Sequence, residues 1–184
     1  IDRYSPIHLA VKLHHFEIAN DLLLFGANVN FKRLTGLTCL HECMYAGDTV
    51  ALNYLLSLPG NSDNDKLHLH PKDEAGETPF LKAVIADRVE CIKIFLEKTK
   101  SESYCFLTRN AMGRNVFHIA AQYKSINTLR YIQENIKNID FEKLINEPDT
   151  SVYKSYPLHH VVRSKSQEIV NILISMGAKL NVQD

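Results

Sequence analysis

The chain has 184 residues, 45% of them hydrophobic, with no tryptophan and 21 Lys and Arg against 21 Asp and Glu. That balance leaves no basic field to attract phosphate, so no nucleic-acid partner is expected. The longest apolar stretches, such as Leu22-Leu23-Leu24-Phe25, are far too short to span a membrane.

One pattern recurs five times. A turn leads to a Thr-Pro-like step, an apolar helix follows, a polar break interrupts, and a second apolar helix closes the unit. It is fullest from Asp73 to Glu97. The first unit, about residues 1–31, opens its helix at Ser5-Pro6-Ile7-His8. Proline in a first turn sacrifices no intrahelical hydrogen bond, and Ser5 is expected to cap the free amides. Leu9-Ala10-Val11 lie on the inner helix, and Ile18, Ala19, Leu22 and Leu23 on the outer. Gly26 then suits the left-handed residue that ends a helix. Asp21, on the outer helix, is a polar intrusion that suggests an edge position.

The second unit, 33–58, is anchored at Thr38-Cys39-Leu40-His41, with Gly47-Asp48 between its helices. Turn formers run from Pro59 to Asp65, so 58–72 reads as a lengthened hairpin loop with a mobile tip. The third unit, 73–100, is anchored at Thr78-Pro79-Phe80-Leu81. It lacks a terminal Gly-Ala, and a helix one turn longer followed by a short extended segment at Tyr104-Cys105-Phe106-Leu107 is expected. The fourth, 110–136, turns on Asn115-Val116-Phe117-His118. Its second helix, carrying Leu129, Tyr131, Ile132 and Ile136, is expected to run on through 137–154 toward Phe141, Leu144 and Ile145. The fifth, 151–182, begins its helix at Tyr156-Pro157-Leu158-His159 and ends it at Gly177.

The anchors at 5, 38, 78, 115 and 156 are separated by 33, 40, 37 and 41 residues. This wording resembles the ankyrin repeat family, whose pattern runs G-x-T-P-L-H-x-A-A and closes on G-A-D-V-N, with a period of about 33 residues. The resemblance covers nearly the whole chain. It implies an all-α ankyrin repeat solenoid, one domain over 1–184, with helix pairs joined by hairpin-like loops. The extra residues, roughly 7, 4 and 8, would emerge as loops on one face. In that family the histidine of each anchor, here His8, His41, His118 and His159, hydrogen-bonds within and between hairpins.

Four cysteines in no regular framework point to a reducing compartment, cytoplasm or nucleus. Cys39-x-His41-x-Cys43 is the tightest set of metal-ligand types, but no second pair stands at a useful distance, and His41 is the motif histidine. No phosphate-binding Gly-rich loop, no nucleophile elbow and no Cys, His and Asp set beyond the repeat pattern is found. The expectation is no enzyme, no metal and no cofactor.

Residues that stack repeats are committed, so recognition falls to the positions that the pattern leaves free. Carried over from the family, these flank the turn glycine and follow the Ala-Ala step. They include Leu37 and Tyr45 in the second unit, Glu74, Glu77 and Ile85 in the third, Met112, Arg114, Gln122 and Tyr123 in the fourth, and Arg163 in the fifth. Tyr45 and Tyr123 are the strongest candidate anchors, since aromatic side chains dominate interfaces. The resemblance implies a monomeric, non-catalytic module that binds a partner protein. The irregular intervals are similar to inhibitors of the Rel/NF-κB type, which clamp a transcription factor. The alternative is a targeting or regulatory segment of a larger enzyme, channel or pathogen effector. The chain starts inside one unit and its last residues read as the lead-in to another, so excision from a longer chain is expected.

Overall fold

The computed structural model describes residues 4–60, 64 and 66–183, and the polar loop tip at 61–63 and 65, expected above to be mobile, lies outside them. The described residues form helices with no strand. In chain order these are α1 (Pro6–Lys12), α2 (Phe16–Leu24), α3 (Cys39–Ala46), α4 (Thr49–Ser57), α5 (Pro79–Ile85), α6 (Val89–Thr99) and α7 (Glu102–Leu107). They continue with α8 (Val116–Tyr123), α9 (Ile126–Asn135), α10 (Phe141–Ile145), α11 (Pro157–Ser164) and α12 (Gln167–Ser175).

Five pairs make the repeats: α1/α2, α3/α4, α5/α6, α8/α9 and α11/α12. The first members stack on one another along an inner layer, and α4, α6, α9 and α12 stack along an outer one. The core lies between the layers. Leu40, Leu81 and Phe117 from inner helices meet Leu52, Ile92 and Leu129 from outer ones, all fully buried. This is the solenoid that the pattern implied.

The hairpin turns stack as well. Within each, a backbone amide closes the loop: Arg33 N–H to Leu37 O, Asp73 N–H to Glu77 O, Asn110 N–H to Arg114 O and Asp149 N–H to Ser155 O, at 2.9–3.1 Å. Between them, Glu74, Ala111 and Thr150 N–H donate to Thr35, Ala75 and Met112 O at 3.2, 2.9 and 2.9 Å. These approaches leave no room for a side chain at the turn glycine. A Cβ on Gly76, whose φ is +71°, would stand 2.5 Å from Ala111 N.

Three local expectations are corrected. Tyr104-Cys105-Phe106-Leu107 is helical, within α7, and not extended. Cys105 and Phe106 are adjacent and both fully buried, whereas neighbours in a strand face opposite ways. Next, α9 stops at Asn135, and Phe141 to Ile145 form a separate helix. Asp140 starts it by accepting Lys143 N–H at 3.0 Å, the cap that defines a helix start. Finally, Ser5 caps no amide: its Oγ hydrogen-bonds His8 Nδ1 at 2.7 Å. Thr78 does cap, accepting Leu81 N–H at 3.4 Å.

Candidate partner-binding groove

The inner helices and hairpins present equivalent positions side by side. Just ahead of each helix stand Tyr4, Leu37, Glu77, Arg114 and Ser155, and near each helix end stand Lys12, Tyr45, Ile85, Gln122 and Arg163. Two facing rows of this kind make a groove. Its floor is fixed by the motif histidines. Thr38 N–H donates to His41 Nδ1 at 3.1 Å while His41 Nε2 donates to Glu77 O at 3.0 Å. His118 repeats this with Asn115 N–H and Ser155 O, at 3.3 and 3.1 Å. Each ring thus ties its own helix start to the next hairpin. Burial pushes His41 down to about 4 and His118 down to about 3, so both are neutral at physiological pH.

In three of the repeats a polar or charged pair joins the hairpin start to the helix that follows it. In the second repeat Arg33 pairs with Glu42. In the third the signs reverse: Lys82 Nζ lies 2.7 Å from Asp73 Oδ2 and 2.6 Å from Glu77 Oε2. In the fifth, Asp149 Oδ2 lies 3.3 Å from His160 Nε2 and 3.1 Å from Arg114 Nε. Burial alone would raise the Asp149 carboxyl, but donors from Ser151, Arg114 and His160 hold it down to about 2.

The rows enclose two clefts. The larger, about 550 Å³, brings together Leu37, Tyr45, Ile85 and Tyr123, with Glu77 on its floor. Tyr45 is 54% exposed and Tyr123 46%, whereas Glu77 is 7% exposed and its carboxylate is spent on Lys82. The smaller, about 350 Å³, gathers Arg114, Gln122 and Arg163. Arg114 Nη1 donates to Gln122 Oε1 at 2.8 Å, and Arg163 Nη1 to Ser155 Oγ at 2.9 Å. Glu74 and Met112 lie outside both clefts, exposed in the hairpin turns.

Tyr4 and Arg33 belong to the larger cleft and escaped the sequence reading. The Arg33 guanidinium lies 3.8 Å from the centre of the Tyr4 ring, and Lys12 Nζ donates to Tyr4 Oη at 2.7 Å. The signal was present: Tyr4 precedes Ser5 as Leu37 precedes Thr38. Arg33 stands where the other hairpins have Asp73, Asn110 and Asp149, whose side chains accept amides of their own loop. A guanidinium has nothing to accept with, so it turns into the groove toward Glu42.

The cysteines are all free and buried. Burial, followed by the nearby Glu42, pushes the Cys39 thiol up to about 12. Among the described residues no three metal-ligating side chains converge, and no helix is long and apolar enough to cross a membrane.

A family model described as ankyrin repeats, three copies, matches residues 7–103, 63–144 and 107–184. Human Rabankyrin-5 is 31% identical over 180 residues, covering 98% of this chain and 14% of that protein. The NF-kappa-B p105 subunit of Gallus gallus is 25% identical over 183 residues, covering 98% of this chain and 17% of that protein. The chain therefore spans only 14% and 17% of the length of these two relatives. Among solved structures, the ankyrin repeat domain of Bcl-3, described as a member of the IkappaB family, superposes with a TM-score of 0.74 at 20% identity. All of this chain and 76% of that one are covered.

Proposed function

This chain belongs to the ankyrin repeat family, a family of protein-interaction modules, and from that premise we propose that it is a non-catalytic module that takes a partner protein on its concave groove. The observation that carries this reading is the division of labour along the inner face. His41, His118 and the hairpin amides are bonded within the stack, while Tyr45 and Tyr123 stand about half exposed over a cleft that Leu37 and Ile85 also line. Exposed aromatic side chains around a concavity are the usual anchors of an interface. Affinity capture from cell lysate tests it, with the wild-type chain and a Tyr45→Ala/Tyr123→Ala variant, both shown by thermal melting to be folded. A partner held by the first and lost from the second is expected. Identical capture by both would remove the groove as the site.

A finer reading follows from the p105 likeness, which runs over 98% of the chain, and from the irregular intervals. In it the partner is a Rel-type transcription factor whose surface the module masks in the cytoplasm or nucleus. Titration of a purified Rel-type dimer into the chain tests this directly: heat saturating at one to one supports it, and no heat removes it. The small share of Rabankyrin-5 that is matched, 14%, favours a second reading. Here the module is a targeting or regulatory segment within a larger protein. The full-length sequence decides, by showing a catalytic or pore domain or by showing none.

A further inference from the structure

Among the described residues the buried histidines are His8, His41, His118 and His160, and they are spread unevenly over the joints between repeats. Between the third and fourth repeats the motif position holds Leu81, and no buried histidine is present. Between the second and third His41 stands alone, facing Asp73 as well as Lys82 and Lys32. Between the first and second stands His8, whose Nδ1 lies 2.7 Å from Ser5 Oγ. Two meet between the fourth and fifth: His118 on α8 and His160 on α11, ring centres 5.7 Å apart at 75°.

The surroundings of this pair are poor in carboxylate. His118 Nε2 donates to Ser155 O at 3.1 Å, and His160 Nε2 to Asp149 Oδ2 at 3.3 Å. Asp149 is the one carboxylate that faces both rings, and it already accepts from Ser151 N–H and Oγ, Ser155 N–H and Arg114 Nε at 2.5–3.1 Å. Against it stand Arg114 and Arg163 beside His160, and Arg109, paired with Glu147, beside His118. Helix α10 packs on α8 through buried Leu144 and Ile145, while its Glu142 and Lys143 are exposed. His159, also on α11, accepts from its own helix start, Tyr156 N–H, at 3.1 Å. Protonating both rings would add two positive charges to a buried site that already faces more cations than carboxylates, which disfavours the charged form. Burial first, then the opposite ring, holds His118 at about 3; burial first, then Arg114, holds His160 below the usual histidine range.

Opening the joint hands both rings to water, where each takes up a proton near pH 6.5. With the folded values depressed, the joint keeps its full stability above about pH 6.5 and loses it as pH falls. A single repeat cannot bury a core alone, so for the fifth repeat leaving the stack and unfolding are one event. We infer that this joint is an acid-operated latch: mild acid opens the fifth repeat ahead of the other four. The smaller cleft draws Arg114 and Gln122 from the fourth repeat and His160, Arg163 and Ser164 from the fifth. It comes apart when the latch opens, whereas the larger cleft, built on the first four repeats, persists.

The test is hydrogen exchange of the 184-residue chain followed by mass spectrometry at about pH 7.5 and about pH 5.5, corrected for the intrinsic pH dependence of exchange, which reads the open fraction helix by helix. Each ring that is neutral in the stack and charged outside it contributes about 10-fold between these values. The open fraction of α11 and α12 should therefore rise up to about 100-fold, and that of α3 to α6, which hold His41, no more than about 10-fold. In His160→Gln, which keeps a donor but takes up no proton, the rise in α11 and α12 should shrink to about 10-fold. An equal rise along all helices, a larger rise in α1 and α2, no rise in α11 and α12, or the wild-type response in a folded His160→Gln would each overturn the inference. If His160→Gln does not fold, the helix-by-helix comparison in the wild-type chain decides alone.

Discussion

At the scale of single residues, one backbone position carries an unusual share of the strain. The residue between inner and outer helix adopts a left-handed conformation in every repeat: His14 at φ 60°, Gly47 at 80°, Asp87 at 54°, Lys124 at 61° and Lys165 at 57°. Only glycine takes it without steric cost. Lys124→Gly and Lys165→Gly should each stabilise the fold by about 0.5–1 kcal/mol, read as a higher urea midpoint. Asp87→Gly should do the opposite. Its carboxylate accepts from Thr128 N–H and Oγ1, both at 2.8 Å, and from Asn127, capping the outer helix of the following repeat. Loss of such a cap costs about 1–2 kcal/mol, more than glycine returns. In the sequence Asp87 is legible only as part of a polar break, because its partners lie about 40 residues away. The histidines were legible, and they set the acid response. The folded pKa of His41 is depressed to about 4 and that of His118 to about 3, with burial the leading cause in both. An unfolded histidine titrates near 6.5. The unfolded state therefore binds more protons below that value, so stability is full above about pH 6.5 and is lost progressively from there to about 4 and below. Melting temperature should fall between pH 7.5 and pH 5, and His118→Asn, though less stable overall, should show a shallower fall. An unchanged slope in that variant would mean that the ring does not titrate on unfolding.

At the scale of elements, the irregular intervals turn out to be core and not only loop. Helices α7 and α10, which interrupt the repeat period, contribute Phe106 and Phe141 to a run of edge-to-face rings. Phe80 lies 5.4 Å from Phe106, Phe106 5.8 Å from Phe141, and Phe141 5.5 Å from Phe117. The long 58–72 segment joins them, since His70 stacks on Tyr104 at 4.0 Å. Phe106→Ala should cost about 3–5 kcal/mol, as for a fully buried aromatic residue, measured by chemical denaturation. A cost below about 1 kcal/mol would show α7 to be an appendage. The five helix pairs were readable from apolar spacing because each repeat writes its pattern locally. The two extra helices were not, because their apolar residues are few and find their partners only in the folded stack. The adjacent pair Cys105-Phe106 fitted a strand as well as a helix until both were seen to be buried.

At the scale of the whole molecule, the groove changes character along its length. Aromatic and aliphatic residues interleaved with charged ones line it in the early repeats, and Arg114, Gln122, His160 and Arg163 line its later part. The rows that form it are legible in the repeat register once the family's free positions are carried over, and four of those positions, Leu37, Tyr45, Ile85 and Tyr123, line one cleft. The division of the rows between two clefts is not legible, since it depends on which charges meet across neighbouring repeats. The proposed function requires that the partner lie in this groove. The most direct measurement places a photo-reactive benzoylphenylalanine at Tyr45 in one sample and at Ile174, on outer helix α12, in another, then irradiates each with the captured partner. Crosslinking from Tyr45 and none from Ile174 is the predicted result. Crosslinking from Ile174 with none from Tyr45 would contradict it and move recognition to the outer face.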